Sequence, residues 1–492
     1  MTAKRRVLPF GIELLESRIA PASLVVTDLN GDQVKFTASS HSLSGSFSVT
    51  PTASGDGRHN LLTVDLSSAP FEGTNFRVTV TKGPNGDGVA DIAINAGTND
   101  LGTVKVAADL ESITAGSGSS TVLAIKSLTV NSIGRFEGIT GKVQGSKVAG
   151  SVGALTVKGN VDGTFFSVSS GIGSIAIGGS LLGGSNAQGG DGAIECGSIG
   201  KISIKGDLRG GNGEFNGEIS SGSNIGTVTV GGSIYGGEAV ESGSIFSTSL
   251  GKVTVGGSVI GGSGTFSGSL NAQNNVASIS IAGSVIGGSG DGSGTIVGGE
   301  GSSGGTIGKI TIGGSVIGGS GQYSGVLGDT DLLPVSVNLA AVVIGKDIVG
   351  GSGAASGGVI AAHGSIGSLT LKGSLIGGDS SAGESGFIES DLHAGIFSIA
   401  GSLYGGSLGE SGALDLAGGI STLKIGGSLY GAAGTASASV NSSGTIGVLN
   451  IHGDILGGSG VDSARVAAPA ITTEIIGGIV LPGTGAGSGT VA

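Results

Sequence analysis

From Ile172 onward the apolar positions of the chain return in one fixed order: apolar at the first, fourth and sixth residues, then a glycine-bearing turn, then a mostly aliphatic pair closed by glycine. The clearest copy is IGKITIGGSVIGGSG at residues 307–321. Eleven copies begin at Ile172, Ile199, Ile225, Leu250, Val276, Ile307, Leu339, Ile366, Ala394, Ile420 and Ile446, a mean step of about 27 residues over 274. Looser copies at Ile125 (IKSLTV) and Val152 (VGALTVKGNV) extend the array toward the N-terminus. The residue between the fourth and sixth positions is mostly Ser or Thr, as at Thr311, and such alternation marks a half-buried β-strand. Periods of this length mark solenoids and other repeat arrays.

One unit cannot fold alone. Burying its four aliphatics contributes roughly 1.5–3 kcal/mol each, while ordering the backbone costs at least ~1 kcal/mol per residue. Stacked units change the balance, because each strand pairs with its equivalents about 4.8 Å above and below and the aliphatics form continuous internal columns. The pattern therefore predicts an all-β chain: a parallel β-helix (β-solenoid) of about 11–13 coils, roughly 55–60 Å long, behind a small N-terminal β domain. Each coil is expected to carry a strand at KITI, a second at SVIGG and a third in the variable tail. The glycine after the aliphatic pair is present in every copy, from Gly183 to Gly457; it implies a positive φ or a close approach of neighbouring backbone. A leucine-rich repeat is the second fold that fits, but its Asn position holds Ser or Asp here (Ser315, Asp347, Asp454) and the second half of each unit is Gly/Ser-rich.

The boundaries read as a leader at 1–22, a β-sandwich-like or capping unit at 23–100, the array at 101–460 and a Gly-rich tail at 461–492. LVVTDLNGDQVKFTA predicts two strands about an Asn-Gly turn, and FRVTVTKGPNGDGVADIAIN another pair. Gaps of 31 and 32 residues before Ile307 and Leu339 predict loops, one of them holding GDTDLLPVSVN.

Composition narrows the function classes. Gly is 107 of 492 residues and Pro only 8, with no G-X-Y period, so neither collagen nor an ordinary domain is indicated. A net charge of −12, no Trp, 4 Tyr and 13 Phe argue against nucleic-acid binding, which needs clustered basic residues with stacking aromatics. The single Cys196 excludes an intrachain disulfide. No apolar run reaches the length of about 18 residues needed for a membrane-spanning helix.

The segment IELLESRIAPAS is similar to the LE-x-R leader at the start of exported surface proteins of planctomycete and verrucomicrobial bacteria. VTKGPNGDGVADIAINAG, IKSLTVNSIGRF and the repeated phrase also resemble uncharacterised Gly-rich repeat proteins of those groups. The resemblance implies export and an extracellular or cell-surface location. It brings no catalytic residues, and the leader differs from the commoner LEPR form. The reading is an exported structural or adhesive rod that presents variable loops, such as 185–198 and 322–338, to an extracellular or cell-envelope polymer or protein. The alternative is a polysaccharide lyase or hydrolase on the same scaffold.

Several residues are candidate sites. Asn85, Asp87 and Asp91 follow the spacing of a calcium loop, but Gly83 replaces the first carboxylate and Ile94 the bidentate Glu; a tight turn is the first reading and Ca2+ the second. In FIESDLHAG, a continuous strand would set Glu389, Asp391 and His393 on one face and Ile388 and Leu392 on the other, a potential metal or acid/base site. Glu214 and Glu218 read as loop carboxylates. Tyr235, Tyr404 and Tyr430 share the position of Ile317 and read as replacements for an aliphatic. LPGTG at 481–485 matches a sortase pentapeptide without the required hydrophobic span after it, and GGSGDGSGT from Gly287 reads as a turn. The irregular outward position disfavours an ice-binding threonine face.

Overall fold

The computed structural model describes residues 22–39, 48–53, 59–136, 145–184, 192–299, 301, 304–329, 335–379 and 383–492. Residues 1–21 of the leader lie outside them, as do 185–191 and 330–334 of the two variable loops. The described chain is nearly all β, with about 15 parallel coils stacked as a β-solenoid and a small β region at the N-terminal end. The coil count exceeds the expected 11–13 because Leu101–Ala115 and Ile471–Ile476 add coils to the eleven clear copies and the two looser ones at Ile125 and Val152. At about 4.8 Å per coil the spine is roughly 70 Å long.

Each coil supplies one strand to each of three columns. Val276–Ile281 lies in the first, Val285–Ile286 in the second and Leu270–Ala272 in the third. In the next coil, Ile279 pairs with Ile310, Val285 with Val316 and Leu270 with Ile296, all parallel. Period-2 alternation turns Ile310 and Ile312 inward, where they are buried beneath Val342 and Ile344. The second strand is shorter than SVIGG suggests. It comprises Val316–Ile317, with Val316 in the core and Ile317 half-buried on the outer face, because the flanking Gly-Gly pairs turn the chain. One hydrophobic core runs from Val34 to Val466.

Both glycine-rich corners are held by hydrogen bonds from side chains. At the corner between first and second columns, the Ser, Asp or Asn before the aliphatic pair accepts from the equivalent amide of the next coil. Ser284 N–H donates to Ser258 Oγ (3.0 Å), Ser315 N–H to Ser284 Oγ (3.0 Å) and Ser374 N–H to Asp347 Oδ1 (2.8 Å). This explains why Ser and Asp alternate there: both offer an acceptor oxygen at the same reach. It also explains a neighbouring glycine, since a Cβ on Gly314 would lie 2.2 Å from Ser284 Oγ. The glycine closing the aliphatic pair answers to close approach rather than to φ: a Cβ on Gly318 would lie 2.6 Å from the Gly351 nitrogen.

The corner between second and third columns carries a buried serine in nearly every coil, for which Asn216 stands in once. Ser324 Oγ accepts from Gly319 N–H (2.9 Å) and donates to Gly321 C=O (2.7 Å). Ser356 and Ser488 make the same pair of bonds.

The N-terminal region continues the solenoid. Ala22–Thr27 and Gln33–Ala38 form an antiparallel hairpin, and Gln33–Ala38 pairs with Phe76–Thr81. Phe76–Thr81 and Asp91–Asn95 are not a hairpin as the sequence suggests. They pair in parallel with different halves of Leu101–Ala115, so the intervening turn steps between two sheets. The Asp32 carboxylate, fully buried, fixes that step by accepting from Gly83 N–H (2.7 Å) and Gly88 N–H (2.8 Å). At the other end the ladder runs through the segment read as a tail: Ile446–Ile451 pairs with Ile471–Ile476, and Ile455–Leu456 with Val480–Leu481. LPGTG there is the same corner as IGGSG in other coils, closed by Gly483 N–H on Ser488 Oγ (3.1 Å). In GGSGDGSGT, Asp291 bonds the Gln322 amide of the next coil (2.8 Å).

Candidate functional site

The structure disperses most of the residues singled out from sequence. Asp87 is turned to the buried His59, whose Nε2 lies 3.1 Å from Oδ2, and it accepts from Val89 N–H (3.0 Å) and Asn30 Nδ2 (3.2 Å). Partial burial works against its charge, but the Val89 amide and the His59 ring hold it below the ordinary carboxylate range. Asp91 is buried in the strand Asp91–Asn95, and Asn85 stands on the surface of the turn. Among the described residues no three His, Cys, Asp or Glu are grouped to hold a metal ion. The 83–91 stretch spans the turn between two sheets, with Asp87 turned to His59 and Asp91 in the strand that follows.

FIESDLHAG is not one strand. The strand covers Ile388–Ser390 only, and the chain then bends into the first column. Ser390 is buried, Leu392 is exposed, and Asp391 is engaged by the His363 amide (2.7 Å). His393 bonds Ser421 Oγ (2.8 Å) through Nε2. The three residues do not share a face, because the corner breaks the alternation that would have aligned them. Glu389 instead stacks beside Asp415 in the third column. Nearby, burial and a hydrogen bond to Glu410 push Glu384 up to about 8.

The tyrosines stand outward, since the Ile317 position is itself an outer one. Tyr404 and Tyr430 stack at 4.9 Å between ring centroids and 5° between planes, and Arg209 lies 4.1 Å from the Tyr235 centroid. Of the loops read as variable, residues 194–198 belong to the strand Ile194–Ile204, while 327–328 and 337–338 are also strand.

One site does assemble, and Glu218 is its centre. On the outer face of the third column, Ser167, Glu195, Ser220 and Phe246 stack in register. The row just before that strand runs Phe165, Ala193, Glu218 and Ser244, tied by Phe166 N–H to Ala193 C=O (2.9 Å) and Ile194 N–H to Glu218 C=O (2.9 Å). In each row a small residue, Ala193 or Ser220, sits between large ones. The mismatch leaves a cleft of about 340 Å³, rimmed by Phe165, Phe215, Phe246, Glu195, Glu218 and Glu241. Phe215 and Glu241 reach it from left-handed corner residues, with φ of 59° and 55°, conformations that cost of order 1–3 kcal/mol each.

Glu218 is 5% exposed and makes no side-chain hydrogen bond or ion pair among the described residues. Other coils put Ser244, Ser269 or Thr295 at its position. Burial pushes its carboxyl up to about 8, and the charges of Glu241 and Glu195 add to the rise. Burial raises Glu241 as well. The lining holds no Lys or Arg. Sequence reading missed the cleft because its residues span four coils. The available signal was a Glu at a position that the next three coils fill with Ser244, Ser269 and Thr295. Glu214, singled out with Glu218, is not part of the lining.

No family model, no curated protein and no solved structure matches the chain.

Proposed function

We propose that the protein is an exported structural or adhesive rod of the cell surface that presents side chains and loops from a stiff β-solenoid to an envelope or extracellular polymer or protein. The observation that carries this reading is the unbroken parallel ladder, reinforced at two corners by side-chain hydrogen bonds in coil after coil. Such a spine is a spacer by construction: its stability is a sum of nearest-neighbour terms, so length is gained without a new core. The export half of the reading rests on the likeness of IELLESRIAPAS to surface-protein leaders. Labelling intact cells with a membrane-impermeant reagent tests it; modification of lysines in the array is the expected outcome, and protection until lysis refutes surface exposure.

A polysaccharide-acting enzyme is the second reading, and one observation favours it. Glu218, a buried carboxyl held protonated near neutrality beside two further carboxylates in an aromatic cleft, has the attributes of a general acid. Release of reducing ends or unsaturated sugars from an envelope glycan, abolished by Glu218→Gln, would establish it. Its absence across a panel of glycans would leave the structural reading.

A further inference from the structure

We propose that the cleft at Glu218 is a binding site for an organic cation of the alkylammonium class, its charged head among the carboxylates of Glu195, Glu218 and Glu241 and its alkyl arm against the rings of Phe165, Phe215 and Phe246. Four features of the site point there. The cleft gathers three carboxylates with no basic residue in its lining, so the missing charge is positive. Glu218 is nine-tenths buried, lines the cavity and has no hydrogen-bond or ion-pair partner among the described residues, which places an unsatisfied carboxyl where a ligand would sit. The rings supply negative faces that attract a cation and an apolar wall for its hydrocarbon. Among the described residues no three such side chains are grouped to hold a metal ion, whereas an ammonium needs only one carboxylate at hydrogen-bond distance and is attracted by the others at longer range.

The geometry also excludes the neighbouring chemistries. An anion would meet the carboxylates of Glu195 and Glu241 and find only the Ser220 hydroxyl and the protonated Glu218 carboxyl as donor side chains. A neutral sugar would find little with which to bond its hydroxyls except the same acids. The size of about 340 Å³ suits a group of a few carbons and one ammonium. The chemistry is shared by a free amine and by a lysine side chain of a partner protein.

Proton linkage gives the site a signature. Below a pH of about 8 Glu218 carries a proton in the empty cleft, and pairing with a cation expels it. Glu195 and Glu241 are the other titratable groups facing the cleft, and no histidine lines it. Affinity should therefore rise with pH between about 6 and 8.5, by at most tenfold per unit for one proton.

The test is calorimetric titration of the full chain with n-pentylammonium, with 1-pentanol as the uncharged counterpart, and with the peptide Gly-Gly-Lys-Gly-Gly. One saturable site for pentylammonium, at least tenfold weaker in Glu218→Gln and in Phe215→Ala, is the expected result. Loss of the pH dependence in Glu218→Gln is expected too. Both variants should keep the far-UV spectrum of the parent, since one exchanges a buried carboxyl for an amide of the same shape and the other removes an exposed ring. Binding of the peptide as well assigns the source to protein lysines; binding of the free amine alone assigns it to small amines. No saturable binding, equal binding of 1-pentanol, or affinities unchanged in both variants would overturn the proposal.

Discussion

The hydroxyl of Ser324 is one atom in a buried column, and removing it asks how much of the rod is held at its corners. Ser324 is fully buried; its Oγ accepts from Gly319 N–H at 2.9 Å and donates to Gly321 C=O at 2.7 Å. In Ser324→Ala the Gly321 carbonyl keeps the backbone N–H of residue 324, at 3.2 Å, so the loss falls mainly on the Gly319 amide. An amide left without its partner in a part-buried corner costs about 1–3 kcal/mol. A value of about 2 kcal/mol corresponds to an opening equilibrium roughly 30-fold larger. Because each coil contacts only its neighbours, the effect should be local. Hydrogen exchange read by mass spectrometry should show amides around 313–329 exchanging roughly 30-fold faster, with those around 226–243 unchanged. The exposed Ser320→Ala serves as control and should leave both segments alone. Equal protection in Ser324→Ala, or a uniform loss along the rod, would refute the assignment of stability to this column.

Three further outcomes follow from the same geometry. Gly318→Ala sets a Cβ 2.6 Å from the Gly351 nitrogen and 2.7 Å from the Gly357 nitrogen; overpacking against backbone should cost about 3 kcal/mol, seen as a lowered thermal midpoint by far-UV dichroism. Glu218 and Glu384 are both raised to about 8 from an ordinary 4.5, so their contribution to stability is complete below about 4.5 and is lost as pH rises through about 8. The urea midpoint should accordingly be higher at pH 5.5 than at pH 9, and the double change to Gln at both positions should flatten that slope. Cys196, buried with its thiol pushed up to about 12 chiefly by desolvation, should resist a thiol-reactive dye at pH 8 in the native state and react fully in denaturant.

The first column was legible because it repeats the one signal a sequence displays well, alternation of aliphatic and polar residues. At Ile310 and Ile312 the alternation, the burial and the register agree. The second column was readable in place but not in direction. Two adjacent aliphatics such as Val316 and Ile317 look like one core pair, yet on a strand only one can face inward. The third column is too short for periodicity to register, as in Leu327–Gly328. The last coil was missed because Thr473 and Glu474 occupy register positions held by Val448 and Leu449 in the coil before. The serine column recurs as faithfully as the aliphatics, but a search keyed to hydrophobicity passes over it. The hairpin at Asn30–Gly31 was readable from its turn chemistry, whereas the separation of Phe76–Thr81 from Asp91–Asn95 depends on Asp32, some 50 residues away in the chain.

The cleft at Glu218 was illegible for a different reason, and that reason says where function resides in such a molecule. Inward positions and corner acceptors are fixed by what must stack on them: an aliphatic over an aliphatic, an acceptor beneath an amide. Outward positions carry no such demand, as the sequence Ala176, Ser203, Thr229, Thr254, Ser280 along the first column shows. A regular outer face is a flat ladder of small side chains and offers little to recognise. Recognition needs a break in the ladder, where the side chains of one coil fail to match those above and below. The described surface has such breaks at the small-between-large rows around Ala193 and Ser220 and at the stacked Tyr404 and Tyr430. The repeat builds the rod, and its exceptions, read coil against coil, are the places where a partner can be told from solvent.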